Sequence, residues 1–335
     1  MPRLFRALAL AGLSLLFSPG AALAESDNFL GHREPIDPAE SRVIMLGTTG
    51  GPIPRVDRSQ PASLVVARGK AFLVDAGAGA ARQLVTAGYA LNQVEAVFLT
   101  HLHLDHTAGL APFMAFDWIS GRKKPVPVYG PPGTDVLVKQ SVAVSEISQN
   151  LFRTQMPFLP EIGSLFPSRA VDVGSAAKIY DDGEIRVFAI ENSHYSTMPE
   201  TGGDYGRDKS YSYRFELPDR TIVFTGDTGP SPVLTEFAKG ADILVSEIID
   251  TPTVVKAMHE NLGGGGVEID EQVAHMEHEH LSAQEVGRLA AAAKVKMVVL
   301  SHLVGAVRMN PDPLVRGVRK HFEGPVVAAQ DLDAF

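Results

Sequence analysis

The chain is 335 residues long, 45% hydrophobic and 21% charged, with a formal net charge of −9 and no cysteine. That length builds one large single-core domain or two small ones, and the balance is that of a globular protein, not a disordered or fibrous one. The missing thiols exclude disulfides, cysteine nucleophiles and thiolate ligands, so any metal must be held by His, Asp and Glu.

Residues 1–24 differ from the rest. Arg3 and Arg6 make a short basic start, residues 7–17 are almost wholly apolar, and Ala22-Leu23-Ala24 fits a small-x-small cleavage site. The pattern predicts a signal peptide over 1–24, since the apolar run is too short to span a bilayer. The expected organisation is a single domain over 25–335, periplasmic or secreted, with no membrane span after signal removal. Losing the leader removes two arginines and no acids, which leaves −11. A polyanion-binding surface usually carries a basic patch. The one basic cluster, Arg122-Lys123-Lys124 before Pro125, reads as a solvated turn. No nucleic acid partner is expected on that ground.

In chain order, residues 43–46, 62–67 and 71–74 read as short strands, rich in β-branched and apolar residues between turns. Residues 80–87 have helical composition and stop at Gly88, a natural residue to follow a helix. A buried strand at 96–99, a helix at 107–118, a strand at 126–129 and a helix at 134–148 follow. Residues 149–169 contain Phe152, Phe158, Phe166 and three prolines, and read as a loop with exposed apolar tips. Strands are expected at 185–190, 211–216 and 221–224, the last two forming a hairpin around Pro218-Asp219-Arg220. Residues 242–246, a helix at 283–293, a strand at 297–300, a helix at 313–321 and a strand near Val326 complete the chain. Strands dominate each half with helices between them. That order suits an α+β fold with two packed sheets and helices outside, an αββα sandwich.

His101-Leu102-His103-Leu104-Asp105-His106 packs four metal-competent side chains into six residues, directly after an apolar strand. Ligands at a strand end are held by a rigid element. In an extended stretch His101 and His103 point the same way and can share one ion, while Asp105 and His106 turn toward a second. Three histidines and an aspartate so close together are hard to explain as solvated or core residues.

This run resembles the signature of the metallo-β-lactamase superfamily, whose fold is the αββα sandwich. His194 in Asn192-Ser193-His194, Asp227 in Thr225-Gly226-Asp227-Thr228-Gly229 and His302 in Leu300-Ser301-His302 continue the family pattern in order, each after a strand. The likeness covers residues 43–302. It implies that His101, His103 and His194 hold one zinc, that Asp105, His106 and His302 hold another, and that Asp227 bridges them. Zn2+ suits this ligand set, and Mn2+ or Fe2+ also fit it. Two such ions, about 3.5–4 Å apart, share a hydroxide and clamp developing charge, with Asp105 as both ligand and orienter. Asp75 in Leu73-Val74-Asp75-Ala76-Gly77 matches a family aspartate that braces a ligand histidine. A turn-capping role before Gly77 accounts for it equally.

The opening Leu46-Gly47-Thr48-Thr49-Gly50-Gly51, the hairpin Tyr211 to Thr228, and Leu244-Val245-Ser246-Glu247 with His280-Leu281-Ser282-Ala283 resemble the tRNase Z branch. Carried over, Glu247 orients His280, and His280 acts on the scissile ester as a general acid. The branch usually has Ser-Thr after this histidine, where this chain has Leu281-Ser282. His259, His275 and His278 read as surface or loop residues.

A tRNA-processing enzyme should be cytosolic and carry a basic arm. The leader and acidic balance point instead to an extracytoplasmic relative acting on a small phosphoester or sulfate ester, like the arylsulfatases and phosphodiesterases of this superfamily. The alternatives are a β-lactamase or lactonase of the same fold and a non-catalytic zinc-binding protein. The expected partner is thus a small-molecule ester, and a homodimer is compatible. Arg308 is placed for either an ester-anion contact or a surface loop. The 150–169 segment and Gly263–Gly266 suit an apolar entrance with a lid hinge, or plain surface linkers.

Overall fold

The computed structural model describes residues 35–199, 201–261, 273–274, 276–305 and 310–335. The expected leader, Gly263–Gly266, His275 and Arg308 lie outside the described residues.

Two sheets carry the architecture. The first has six strands in chain order, β1 (Ser41–Gly47), β2 (Ala62–Ala67), β3 (Lys70–Val74), β4 (Val94–Phe98), β5 (Val128–Gly130) and β6 (Ser168–Ala170). The second has seven, β7 (Ala177–Asp181), β8 (Arg186–Glu191), β9 (Tyr211–Glu216), β10 (Thr221–Phe224), β11 (Ile243–Ile249), β12 (Met297–Val304) and β13 (Val326–Ala328). Each sheet starts antiparallel and becomes parallel toward its later strands.

Many strands are apolar on both faces, and the period of two sorts each one into two cores. Val43, Met45, Val65, Phe72 and Phe98 meet Tyr213, Phe215, Ile222 and Val299 between the sheets. Their neighbours Ile44, Leu46, Leu64 and Leu73 face outward onto Leu84, Phe113 and Trp118 of the first helical layer. Leu244, Val298 and Leu300 likewise face Val286, Leu289 and Val318 of the second. The result is the αββα sandwich.

Most expected elements recur within a residue or two, and the helix Ala283–Ala293 matches at both ends. Its start is written in the sequence. The Ser282 hydroxyl accepts from the Glu285 amide, and the Glu285 carboxylate accepts from the Ser282 amide. The segment 134–169 differs from expectation. The helix from Thr134 stops at Val144, a second helix runs Glu146–Gln155, a short one runs Ile162–Leu165, and β6 follows. Of its aromatics, Phe158 is an exposed apolar tip as expected, and the other two pack against the protein. Phe166 is fully buried in the first sheet's outer core, and Phe152 lies edge-on to Trp118. Arg122 is no solvated turn residue either: it is buried, bonded to Asp117 at 2.8 Å and to the Leu91 and Val94 carbonyls.

The C-terminal residues close the edge beside β1 through the Val43–Phe335 and Met45–Asp333 backbone bonds. They also bring Asp331 to the loop after β1. Its carboxylate accepts from the Thr48 amide and hydroxyl, the Ser59 amide and the Gln83 amide side chain.

Candidate metal centre

The site lies where strands of both sheets end. β4 leads through Leu99 and Thr100 to His101, and His103 precedes the one-turn helix Leu104–Thr107 that carries Asp105 and His106. That turn packs backbone to backbone on the segment after β3, where the Ala76 amide donates to the His106 carbonyl. Only glycine fits beside it, since a Cβ on Gly77 would lie 2.3 Å from the Asp105 carbonyl oxygen. β8 delivers His194, β10 delivers Asp227, and β11 contains Glu247. His302 sits in β12 at φ 45°, a left-handed conformation unusual for a non-glycine residue. The β11–β12 register shifts there, with Glu247 opposite the extra residue, and the bulge turns the His302 ring into the site.

All seven residues expected as ligands come together. The ligand atoms of His101, His103 and His194 lie within 4.8 Å of one another, as do those of Asp105, His106 and His302. Asp227 lies between the two groups. One of its oxygens is 3.8 Å from His101 Nε2, 4.0 Å from His194 Nε2 and 3.1 Å from His302 Nε2, and the other is 3.4 Å from His106 Nε2.

The outward ring nitrogens of His106, His194 and His101 are tied, which fixes their tautomers, whereas His302 Nδ1 forms no hydrogen bond. His106 Nδ1 donates to Asp75 Oδ2 at 2.9 Å, His194 Nδ1 donates to the Glu279 carbonyl at 3.1 Å, and His101 Nδ1 pairs with the Thr100 hydroxyl at 3.0 Å. Asp75 in turn accepts from the Thr100 amide and hydroxyl. It therefore braces His106 and caps the turn at once.

The polar atoms facing inward are the test of fit. His106 Nε2 and Asp227 Oδ1 are buried, form no hydrogen bond and face each other at 3.4 Å. His101 Nε2 and His194 Nε2 stand 3.1 and 3.2 Å from His103 Nδ1. Lone pairs aimed at one another this way call for a cation between them. Protonation at His101, His194 and Asp105 agrees with this. Burial holds the His101 imidazole well below its ordinary pKa and lowers His194 to about 3. Burial would raise Asp105, but the His302 bond and the His106 charge outweigh it and hold it at about 2. The neutral His101 and His194 rings and the ionised Asp105 are in the ligand state. Burial would also lower His106, but the Asp227 and Asp75 carboxylates outweigh it and raise that ring well above its ordinary value, so it carries a proton on the side a cation would take. The donor set fits a divalent metal.

His280 lies beside this cluster, its ring 5.1 Å from that of His194 and stacked at 6.1 Å on that of His302. Its Nδ1 is 2.7 Å from Glu247 Oε2, and the other Glu247 oxygen accepts from the Thr228 amide at 2.7 Å. Burial raises the Glu247 carboxyl and would lower His280, but Glu247 raises His280 to about 9, so the buried pair holds one proton between them. The His280 segment approaches closely at Gly229, where a Cβ would meet the His278 carbonyl oxygen at 1.8 Å. His278 and His259 are exposed and stand apart from the cluster, as expected.

Sequence reasoning missed Thr100 and Thr228, whose roles depend on tertiary contacts. It also missed Tyr195, although the residue follows His194 directly. The Tyr195 ring lies 4.9 Å from that of His194 and meets that of His103 edge-on at 5.2 Å.

Comparison with known proteins extends these findings. A family model described as a β-lactamase superfamily domain matches residues 70–303. A ribonuclease Z of Myxococcus xanthus is 29% identical over 316 residues, 87% of this chain and 95% of that protein. Among solved structures, the metallo-β-lactamase fold protein YhfI of Bacillus subtilis superposes with a TM-score of 0.62 at 19% identity, covering 88% of this chain and 99% of its own. The short form of human tRNase Z does so at 0.58 and 20% identity, covering 88% and 98%. These relatives overturn the expectation of a small-molecule ester and no nucleic acid. Net charge averages a whole surface and does not describe the local charge of one cleft.

Proposed function

The chain belongs to the β-lactamase superfamily, and from that premise we propose that it is a two-zinc phosphodiesterase acting on RNA. Hydrolase chemistry with a divalent metal follows from the family; the bond, the ion count and the residue roles are our reading. Relatives named ribonuclease Z over most of both chains support the substrate class.

The observation that carries the reading is the His280–Glu247 pair, 2.7 Å apart and set against the ligand rings of His194 and His302. A phosphodiester leaves as an alkoxide, which needs a proton at the moment the bond breaks. With Nδ1 committed to Glu247, the His280 Nε2–H is available to donate it, and Glu247 steadies the ring's charge. A β-lactam or lactone gains less from a fixed imidazolium, because its leaving group stays tethered.

In this reading His101, His103 and His194 would hold one zinc, Asp105, His106 and His302 would hold the other, and Asp227 would serve both. Such ions supply Lewis-acid neutralisation of phosphoryl oxygens and a lowered water pKa. Asp105, anchored 3.4 Å from His302 Nε2, orients the attacking water. The water oxygen bonds to phosphorus as its proton passes to solvent, the bond to the ribose oxygen breaks, and that oxygen takes the His280 proton.

The test is a substrate panel on the zinc-loaded protein: an RNA oligonucleotide, bis(p-nitrophenyl) phosphate, an aryl sulfate, a lactone and a chromogenic β-lactam. Turnover of the RNA and the diester is expected. Turnover of the β-lactam alone would contradict the reading.

A further inference from the structure

Beside the ligand cluster is a hollow of about 310 Å³ whose wall includes Leu102, His103, Pro132, Tyr195, Met198 and Tyr205. We propose that it is a base-stacking subsite, holding one unpaired base of the RNA strand next to the scissile phosphate. This rests on the phosphodiesterase reading and adds where the strand is gripped.

Two aromatic residues, Tyr195 and Tyr205, stand in the wall of the hollow. Tyr195 is fixed by its contacts with His194 and His103, so its ring stands next to the chemistry. Tyr205 is wedged between two glycines: a Cβ on Gly133 would lie 3.1 Å from its ring and one on Gly203 would lie 2.2 Å from it. Its hydroxyl donates to Asp208 at 3.0 Å and lies 3.2 Å from the Thr201 hydroxyl. The ring is held at both ends and loses little freedom on binding.

The polar groups around it are already engaged. Asp208 also accepts from the Thr201 hydroxyl at 2.7 Å, and Ser196 donates to the Ser193 carbonyl at 2.7 Å. Arg207 pairs with Glu191, while Lys209 pairs with Glu191 at 3.3 Å and Asp172 at 2.6 Å. A phosphate would find little uncompensated positive charge there. A planar base would find two π faces and an apolar floor, an arrangement that tolerates any base.

The test uses RNA trinucleotides carrying 2-aminopurine, whose fluorescence responds to stacking, with the full zinc-loaded protein. Saturable quenching is expected in the wild type. In Tyr205→Leu the Kd should rise roughly tenfold or more, while Tyr205→Phe, which keeps the ring, stays near wild type and shows that the loop still folds. Equal Kd values in wild type and Tyr205→Leu, or no saturable quenching, would overturn the subsite. Methyl p-nitrophenyl phosphate, which has no base, separates the two claims. Its hydrolysis alongside an unchanged Kd sinks the subsite and leaves the phosphodiesterase standing. Failure to hydrolyse any phosphodiester sinks both.

Discussion

The His280 imidazole and the Glu247 carboxylate share a 2.7 Å hydrogen bond across the gap between the Ala283–Ala293 helix and β11. Glu247 holds His280 protonated up to about pH 9. An acid that must carry its proton works below its pKa, so kcat/KM on RNA should fall as pH rises through about 9. Glu247→Gln removes the charge that raises the pKa and should move that limb to lower pH. A role for Glu247 in packing alone would leave the limb where it is. The pair's contribution to folding has the same sign: present below the unfolded His value of about 6.5 and lost as pH rises through about 9.

Metal removal should weaken both fold and activity. Cations that bind the native cluster and not the unfolded chain stabilise by mass action. Chelation should lower Tm, zinc should restore it, and elemental analysis of the saturated protein should give two ions per chain. One ion at saturation would contradict the assignment of two triads around Asp227.

Asp75→Ala should weaken metal binding by roughly 10–100-fold. It removes the acceptor that keeps the His106 proton on Nδ1, and with it the Thr100 bonds. Competitive zinc titration measures this. An unchanged affinity would reduce Asp75 to a turn residue.

Asp331→Ala leaves the Thr48, Ser59 and Gln83 donors without their acceptor. A cost of about 2 kcal/mol is expected, read as a lower unfolding midpoint.

The leader remains a proposal from Arg3, Arg6, residues 7–17 and Ala22-Leu23-Ala24. Mass spectrometry of protein from a periplasmic fraction should find the chain starting at Glu25. An uncleaved mass would remove the export reading.

Much of this was legible in the sequence because the determinants are local. Short runs of β-branched and apolar residues between turns located the strands, and Ser282 with Glu285 wrote the start of their helix. The spacing from His101 to His106 announced a metal cluster before any distance was known. The 134–169 segment was less legible. Its 146–155 helix leaves Ile147 and Leu151 exposed, so no buried apolar stripe signalled it against the prolines that follow. The helix Pro232–Phe237 was also missed, although the Ser231 side chain caps it ahead of a proline. The stacking hollow was invisible because residues near 102, 132 and 195–205 meet only in the fold. The net charge misled, because charge on the whole chain does not set the local charge of one cleft.

The most direct test compares His280→Ala with wild type on two phosphodiesters that differ in leaving group. With metal content unchanged, RNA cleavage, which expels a poor ribose alkoxide, should drop roughly 10²–10⁴-fold. Hydrolysis of bis(p-nitrophenyl) phosphate, whose leaving phenolate needs no proton, should drop far less. Equal losses on both substrates, or full RNA cleavage by the variant, would contradict the account.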